Sequence, residues 1–462
     1  MDKSDVAPRI ISRHEHCVSR KNMTEDVIKV LYRLKNTGNI AYLCGGGVRD
    51  LLQGIGPKDF DVVTDARPSA IKNIFRNSRL VGRRFRIVHV FFKGGRIVEV
   101  STFRKKAEYC QHDAEEPIKS DNTFGTPAED AFRRDFTVNA LYYDIRNFAI
   151  IDYVCGMEDL RQKIIRAIGD PDVRFQEDPI RILRGIRLAA LMDFTIEENA
   201  LQAMTRQREL IFKCAAPRIL EEIFRTLRRP NSDRAFKLLA ETQTLDIILP
   251  DLVDFVGKAE HGFDGPLPRL LRAMDNRRQV NERTYGDHIL LAALFYLPVT
   301  RFLKSLPSGC DPETTVNEYL SPIGAALNIP KLALQQARHL IMAQDFFETG
   351  AGMNPKRRFR LFKRPYMADA VEFFRIQSEA GGLSQEEVEV ILAQYDQPGA
   401  KDKTAACQPP HEIPRGPNQG IKNSPTGEAS GNGKNRKRRR RHRPPKPVMK
   451  SGATKPEAVN HP

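Results

Sequence analysis

Leu43-Cys44-Gly45-Gly46-Gly47-Val48-Arg49-Asp50 is followed a few residues on by Lys58-Asp59-Phe60-Asp61. The apolar run from Ile40 to Cys44 reads as a buried strand, and Val48 to Gln53 as a short helix. Three glycines between them let backbone N–H groups come close to a phosphate, and Arg49 adds a charge in the first helical turn. A tight strand-to-helix turn is the plainer use of the same glycines. The two aspartates tip the balance. If residues 59–63 are a strand, Asp59 and Asp61 share a face, roughly 6.5–7 Å apart along the backbone, and Phe60 points the other way, into the core. Carboxylates aimed at one point repel unless a cation stands between them. Mg²⁺ suits that place, because it takes one or two carboxylates plus substrate phosphates.

Outward from this stretch, the first 150 residues alternate in character. Thr24 is placed to cap a helix that carries Glu25 and Asp26 in its first turn, a Val27/Leu31/Leu34 stripe, and Gly38 at its end. Phe60–Val63, Phe85–Phe92 and Ile97–Phe103 read as strands. Glu99, inside an apolar strand, either faces water or adds a third acid to the cluster. Asp135, in Arg133-Arg134-Asp135-Phe136-Thr137-Val138-Asn139, is the other candidate, and its two arginines could equally be neutralising it. Beyond about Asp170 the period becomes helical, as in Arg218–Leu227 with Pro217 at the start, and no comparable strand signal follows. Over 178–191, about 100° per residue sets Ile182, Leu183, Ile186, Ala189 and Ala190 on one side. Arg181, Arg184 and Arg187 wind across the other, and Asp178 before Pro179 is a candidate N-cap.

The composition is that of a globular chain, with 40% hydrophobic and 29% charged residues, and no apolar run approaches the roughly 18 residues of a membrane span. The first residues lack the apolar core of a secretory signal. Seven scattered cysteines without C-x-x-C exclude a zinc ribbon and favour a reducing compartment. Charge is uneven: residues 398–462 hold 15 Lys+Arg against 4 Asp+Glu, a net +11 that leaves only +5 of the total +16 for the rest. That tail has 11 of the 30 prolines and no aromatic residue, so it is expected to be disordered. Its run Lys434–Arg443 suits RNA or another polyanion.

Together these pieces resemble the class II nucleotidyltransferases that extend RNA 3′ ends, the bacterial poly(A) polymerases and CCA-adding enzymes. The Gly45–Asp50 turn, the Asp59-Phe60-Asp61 pair, the Arg133–Asn139 segment and Glu177-Asp178-Pro179-Ile180-Arg181-Ile182-Leu183-Arg184-Gly185-Ile186-Arg187 occur in the family's order across residues 40–190. Leu80–His89, Asp121–Gly125 and the arginine-rich tail look like the poly(A) polymerase branch. The resemblance implies an α+β fold: a polymerase-beta-like mixed-sheet nucleotidyltransferase head over 23–160 after an N-terminal extension (1–22). An all-α neck (161–230), a helical RNA-binding body (231–397) and the disordered basic tail (398–462) complete it.

The resemblance further implies that Asp59 and Asp61 bind two Mg²⁺ ions, with Asp135 or alternatively Glu99 as the third catalytic carboxylate. Gly45, Gly46, Arg49, Arg134, Asn139, Arg184 and Arg187 would contact the nucleotide, and Asp178 and Arg181 would read its base. Arg83, Arg84, Lys356, Arg357, Arg358, Arg436, Lys437, Arg438, Arg439, Arg440 and Arg441 would meet RNA. The expected activity is template-independent addition of AMP from ATP to RNA 3′ ends, promoting mRNA decay. A CCA- or A-adding tRNA enzyme and a non-catalytic RNA-binding protein are the alternatives. An Asp/Arg pair accepts from an exocyclic amine and donates to a ring nitrogen. It therefore admits adenine and cytosine, rejects guanine and uracil, and cannot by itself separate ATP from CTP. Expected partners are an RNA 3′ end and ATP, with RNA-decay proteins reached through the tail. The expected state is a cytoplasmic monomer without a membrane span.

Overall fold

The computed structural model describes residues 6–82, 86–105, 123–307, 309–349, 360 and 363–396. Eight strands among them form one mixed sheet: β1 (Arg9–Ile11), β2 (Ala41–Cys44), β3 (Asp61–Thr64), β4 (Ser78–Val81), β5 (Ile87–Phe91), β6 (Ile97–Thr102), β7 (Leu141–Asp144) and β8 (Ala149–Asp152), in the order β1-β8-β7-β2-β3-β6-β5-β4. Every neighbouring pair is antiparallel except β3 and β6, which run parallel.

The pleat separates two faces. Leu43, Val62 and Tyr143 lie in register and enter the main core. Helix α1 (Glu25–Asn36) packs there, with Val27, Val30, Leu31 and Leu34 wholly buried; its Thr24 cap accepts from the Val27 N–H at 3.5 Å. Cys44, Val63 and Tyr142 face the other way and join Phe103 in a smaller cluster. The edge of that second face carries the acids.

Helix α2 (Gly46–Leu52) starts at the second glycine of the turn, earlier than the expected Val48. The head is completed by α3 (Pro68–Ile74), α4 (Pro127–Phe132) and α5 (Gly156–Gln162). Next come α6 (Pro171–Glu177), α7 (Ile180–Met192), α8 (Glu198–Gln207) and α9 (Ala216–Leu227), then a helical body with long helices such as Asp287–Lys304 and Lys331–Thr349. One apolar cluster runs from Ile11 to Leu392, so head and helices share a core. Among the described residues no helix is long and apolar enough to cross a membrane.

Two local expectations are corrected, and one element was not foreseen. Strand pairing begins at Asp61, so Asp59 and Phe60 lie in the approach to β3, although Phe60 does pack against the main core. The β7–β8 hairpin was not anticipated. The region read as purely helical also holds β10 (Thr195–Ile196), which pairs in parallel with β9 (Ile164–Ile165).

Candidate active site

Gly45 joins β2 to α2 with φ at +71°, where a side chain is strained. A Cβ on it would lie 3.3 Å from Arg134 Nη1 and 3.9 Å from Asp61 Oδ2. The missing side chain is what lets the acid and the guanidinium share one corner. Asp61 pairs in register with Cys44 on one side and with Glu99 on the other, and Glu99 pairs with His89 beyond it. In-register residues project to the same face, so Asp61 and Glu99 stand side by side. Asp59 sits just ahead, its carbonyl oxygen 3.4 Å from where a Gly47 Cβ would be. Asp61 remains exposed, yet enough protein surrounds it to raise its carboxyl above the usual range; Glu99 and Asp59 raise it further and Arg134 opposes them. His89 Nε2 is 3.3 Å from Glu99 Oε1.

This donor set fits a hard cation that brings its own oxygen ligands. Among the described residues, no three carboxylate, imidazole or thiol groups converge closely enough to hold an ion unaided. Repelling carboxylates beside a glycine turn and an arginine are what magnesium completes together with a triphosphate.

The wall behind the carboxylates is built on Asp130, on α4. It is fully buried and accepts from Arg133 Nε and Nη2 at 2.9 and 2.7 Å, from Arg134 Nη2 and Nε at 3.0 and 3.2 Å, and from the Tyr142 hydroxyl at 2.9 Å. Burial works against its charge, but Arg134 and Arg133 overcome it and hold the carboxyl down at about 2. Arg134 also lies over the Tyr142 ring, 5.2 Å from its centroid, and donates to the Asn139 carbonyl at 3.2 Å. The Asn139 side chain takes Arg49 Nη1 at 2.5 Å, while Arg49 Nε and Nη2 hold Asp50. Burial pushes the Cys44 thiol, beside Arg134, up to about 11, so it stays protonated. Gly45, Gly46, Arg49, Asp61, Glu99, Arg134 and Asn139 thus form one continuous surface.

A second group is stitched to the first. Arg174 Nη2 donates to the carbonyls of Arg133 and Arg134, both at 2.8 Å, and Arg181 Nη1 donates to the Arg174 carbonyl at 2.8 Å. Asp135 belongs to this group. It accepts from Arg181 Nε and Arg184 Nη1, each at 2.8 Å, and these arginines hold its carboxyl below the usual range against its burial. The expectation that it serves as third carboxylate therefore meets a contrary placement: its charge is spent on α7, whereas Glu99 adjoins Asp61. Glu222 of α9 accepts from Arg187 Nε at 2.8 Å and Arg184 Nε at 3.4 Å. The arginine face of α7 is consequently not a solvated one. Asp178 does not cap α7 with its side chain; it accepts from Arg218 Nη2 at 2.9 Å, and Pro179 occupies the cap position.

Asp130, Glu222, Arg174 and Arg218 were not singled out from the sequence. Glu222 lies 38 residues from Arg184, beyond any local signal. Arg83, Arg84, Lys356, Arg357, Arg358 and the tail run Arg436–Arg441 fall outside the described residues.

Comparisons with known proteins bear on the family and the fold. The family model "Poly A polymerase head domain" matches residues 41–166, and "Probable RNA and SrmB-binding site of polymerase A" matches 193–255. The chain is 35% identical to Poly(A) polymerase I of Salmonella typhi over 384 residues, covering 80% of this chain and 82% of that one. Poly(A) polymerase I of Escherichia coli O157:H7 is likewise 35% identical, over 386 residues with the same coverage. The CCA-adding enzyme of Lactobacillus helveticus is 38% identical over 50% of this chain and 56% of its own length. Among solved structures, the Bacillus stearothermophilus CCA-adding enzyme in complex with CTP superposes with a TM-score of 0.59 at 26% identity, over 80% of this chain and 82% of that one.

Proposed function

The chain belongs to the poly(A) polymerase family of class II nucleotidyltransferases, and from that premise we propose that it adds AMP from ATP, without a template, to the 3′ ends of RNA. The observation that carries the proposal is the like-charged pair Asp61 and Glu99, in register beside the Gly45 turn and Arg134. Asp59 and Asp61, with Glu99 as the third carboxylate, would hold magnesium. Bound there, the metal would supply a lowered pKa for the RNA 3′-hydroxyl and charge compensation for the leaving pyrophosphate. The remaining work belongs to the chain. Arg134, fixed by Asp130, and Arg49, fixed by Asn139, hold the phosphates in line; Arg184 and Arg187 hold the rest of the nucleotide. Asp178 and Arg181 accept from and donate to the adenine edge. Catalysis on this reading is positioning and electrostatics, with no covalent intermediate on the protein.

Coverage favours the polyadenylating reading over the tRNA-specific one. The poly(A) polymerases match along four-fifths of the chain, whereas the CCA-adding relative matches along half. The basic tail is proposed to hold RNA through salt-sensitive phosphate contacts. Incubating the protein with a generic RNA, Mg²⁺ and one nucleotide at a time tests the proposal. Long tails from ATP support it. Growth that stops after one to three residues and requires tRNA would replace it with the CCA reading, and RNA binding without incorporation would replace it with a non-catalytic one.

A further inference from the structure

On the sheet face turned away from the carboxylates, the segment before α1 wraps the β7–β8 hairpin and leaves a cavity of about 530 Å³. Arg13, Arg20 and Lys21 line it together with Tyr143 and Phe148. The segment from residue 9 to 22 contains Arg9, Arg13, Arg20 and Lys21 against a single acid, Glu15. The Glu15 carboxylate is already engaged, accepting from the Ser12 N–H at 2.9 Å and hydroxyl at 2.5 Å. Among the described residues none of these four cations lies within ion-pair distance of a carboxylate, in contrast to the arginines of the active-site wall. Asp144, next to Tyr143 in β7, is neutralised by Lys35 in a buried pair.

The cations are also held in place. Arg20 lies over the Phe148 ring, 4.7 Å from its centroid, and donates to the Tyr32 hydroxyl at 2.8 Å. Arg13 Nη1 donates to the His16 carbonyl at 2.9 Å. Phe148 takes φ of +55°, uncommon for an aromatic residue, and its carbonyl is tied to His16 Nε2 at 2.9 Å. Each guanidinium spends one edge on the fold, and the cavity offers the rest. Concave, cationic and aromatic surfaces of this kind track phosphodiester backbones.

We infer that this cavity is a second RNA contact, binding backbone phosphates upstream of the 3′ end on the side of the head opposite the carboxylates. The inference rests on the proposed RNA substrate. Free nucleotide phosphates carry the same chemistry, and the test separates the two sources. The full chain is compared as wild type, as the triple variant Arg13→Gln/Arg20→Gln/Lys21→Gln, and as Lys21→Glu, whose side chain is exposed. Affinity for a labelled 30-nucleotide RNA is followed by anisotropy against salt, and the KM for ATP is measured on a short primer. The triple variant is expected to bind RNA at least tenfold more weakly at low salt. Its log–log salt slope should be shallower by about 0.7 per lost phosphate contact. Lys21→Glu should shift both in the same direction by a smaller amount, and the KM for ATP should stay fixed. An unchanged slope in both variants overturns the inference, as does a change confined to the KM for ATP. AMP incorporation by the wild type, scored in parallel, reports separately on the substrate reading itself.

Discussion

Arg134 places two of its nitrogens on a single oxygen of Asp130, at 3.0 and 3.2 Å, in a wall that gives the acid no solvent exposure. Asp130→Asn would leave the half-buried Arg134 without its counter-charge. The expected cost is about 3–5 kcal/mol of stability, as for other broken buried pairs, together with a higher KM for ATP, because Arg134 loses its anchor. The effect has a defined pH dependence. The folded carboxyl, at about 2, lies below its ordinary value of 3.8, so the stabilisation is complete above the ordinary value and is lost as pH falls toward the folded one. Denaturant melts from pH 5 downward should show the gap between wild type and variant closing; a constant gap would contradict the assignment.

Asp61 pairs in register with Glu99 across β3 and β6, and the neighbouring Glu99 charge helps raise its carboxyl above the usual range. Asp61→Asn removes one of two adjacent like charges. The metal-free variant should melt at the same temperature as wild type or above it at neutral pH, while turnover falls by roughly 10³ or more, about 4 kcal/mol of barrier. Addition of Mg²⁺ with ATP should raise the melting temperature of wild type and not of the variant. A destabilised variant that retained turnover would make Asp61 a structural residue.

Glu99→Gln and Asp135→Asn separate the two candidates for the third carboxylate. With Glu99 beside Asp61, its variant should lose turnover and need more Mg²⁺ to reach half-maximal rate. With Asp135 bridging Arg181 and Arg184, its variant should raise the KM for ATP several-fold and leave the Mg²⁺ titration midpoint in place. The reverse pattern would return the metal role to Asp135.

Arg181→Ala and Asp178→Ala test base reading. Each removes half of a donor–acceptor pair, and a lost buried hydrogen bond of about 1–3 kcal/mol corresponds to a fall of roughly 10–10²-fold in kcat/KM for ATP. Incorporation from GTP and UTP should lose far less, so discrimination narrows. Equal losses with all four nucleotides would make these residues structural.

The pieces of the candidate site were legible because each is local. The glycine turn, the paired aspartates and the arginine helix each lie within about a dozen residues, and the aspartates following the turn are what set it apart from an ordinary strand-to-helix connection. What escaped is long-range. The acids that orient the arginines come from elsewhere in the chain, 46 residues away for Asp135 to Arg181 and 35 for Glu222 to Arg187, and no periodicity links them. The β7–β8 hairpin escaped for a different reason. Leu141–Asp144 and Ala149–Asp152 are buried at every position, so the in–out alternation that marks a half-exposed strand is absent. Edge strand β1 is three residues long, too short for any pattern. Strand register is likewise invisible in the sequence; the parallel β3–β6 pairing is what puts Glu99 beside Asp61.

On the proposed reading, Asp61 with its acidic neighbours drives ATP-specific tail growth on RNA. The most direct measurement is denaturing-gel extension of a labelled oligoribonucleotide with ATP, CTP, GTP or UTP alone in Mg²⁺, run side by side with wild type and Asp61→Asn. Long ladders are expected from wild type with ATP only, and none from the folded variant. Ladders of equal length from the variant, or extension by wild type that halts after a few residues irrespective of ATP concentration, would contradict it.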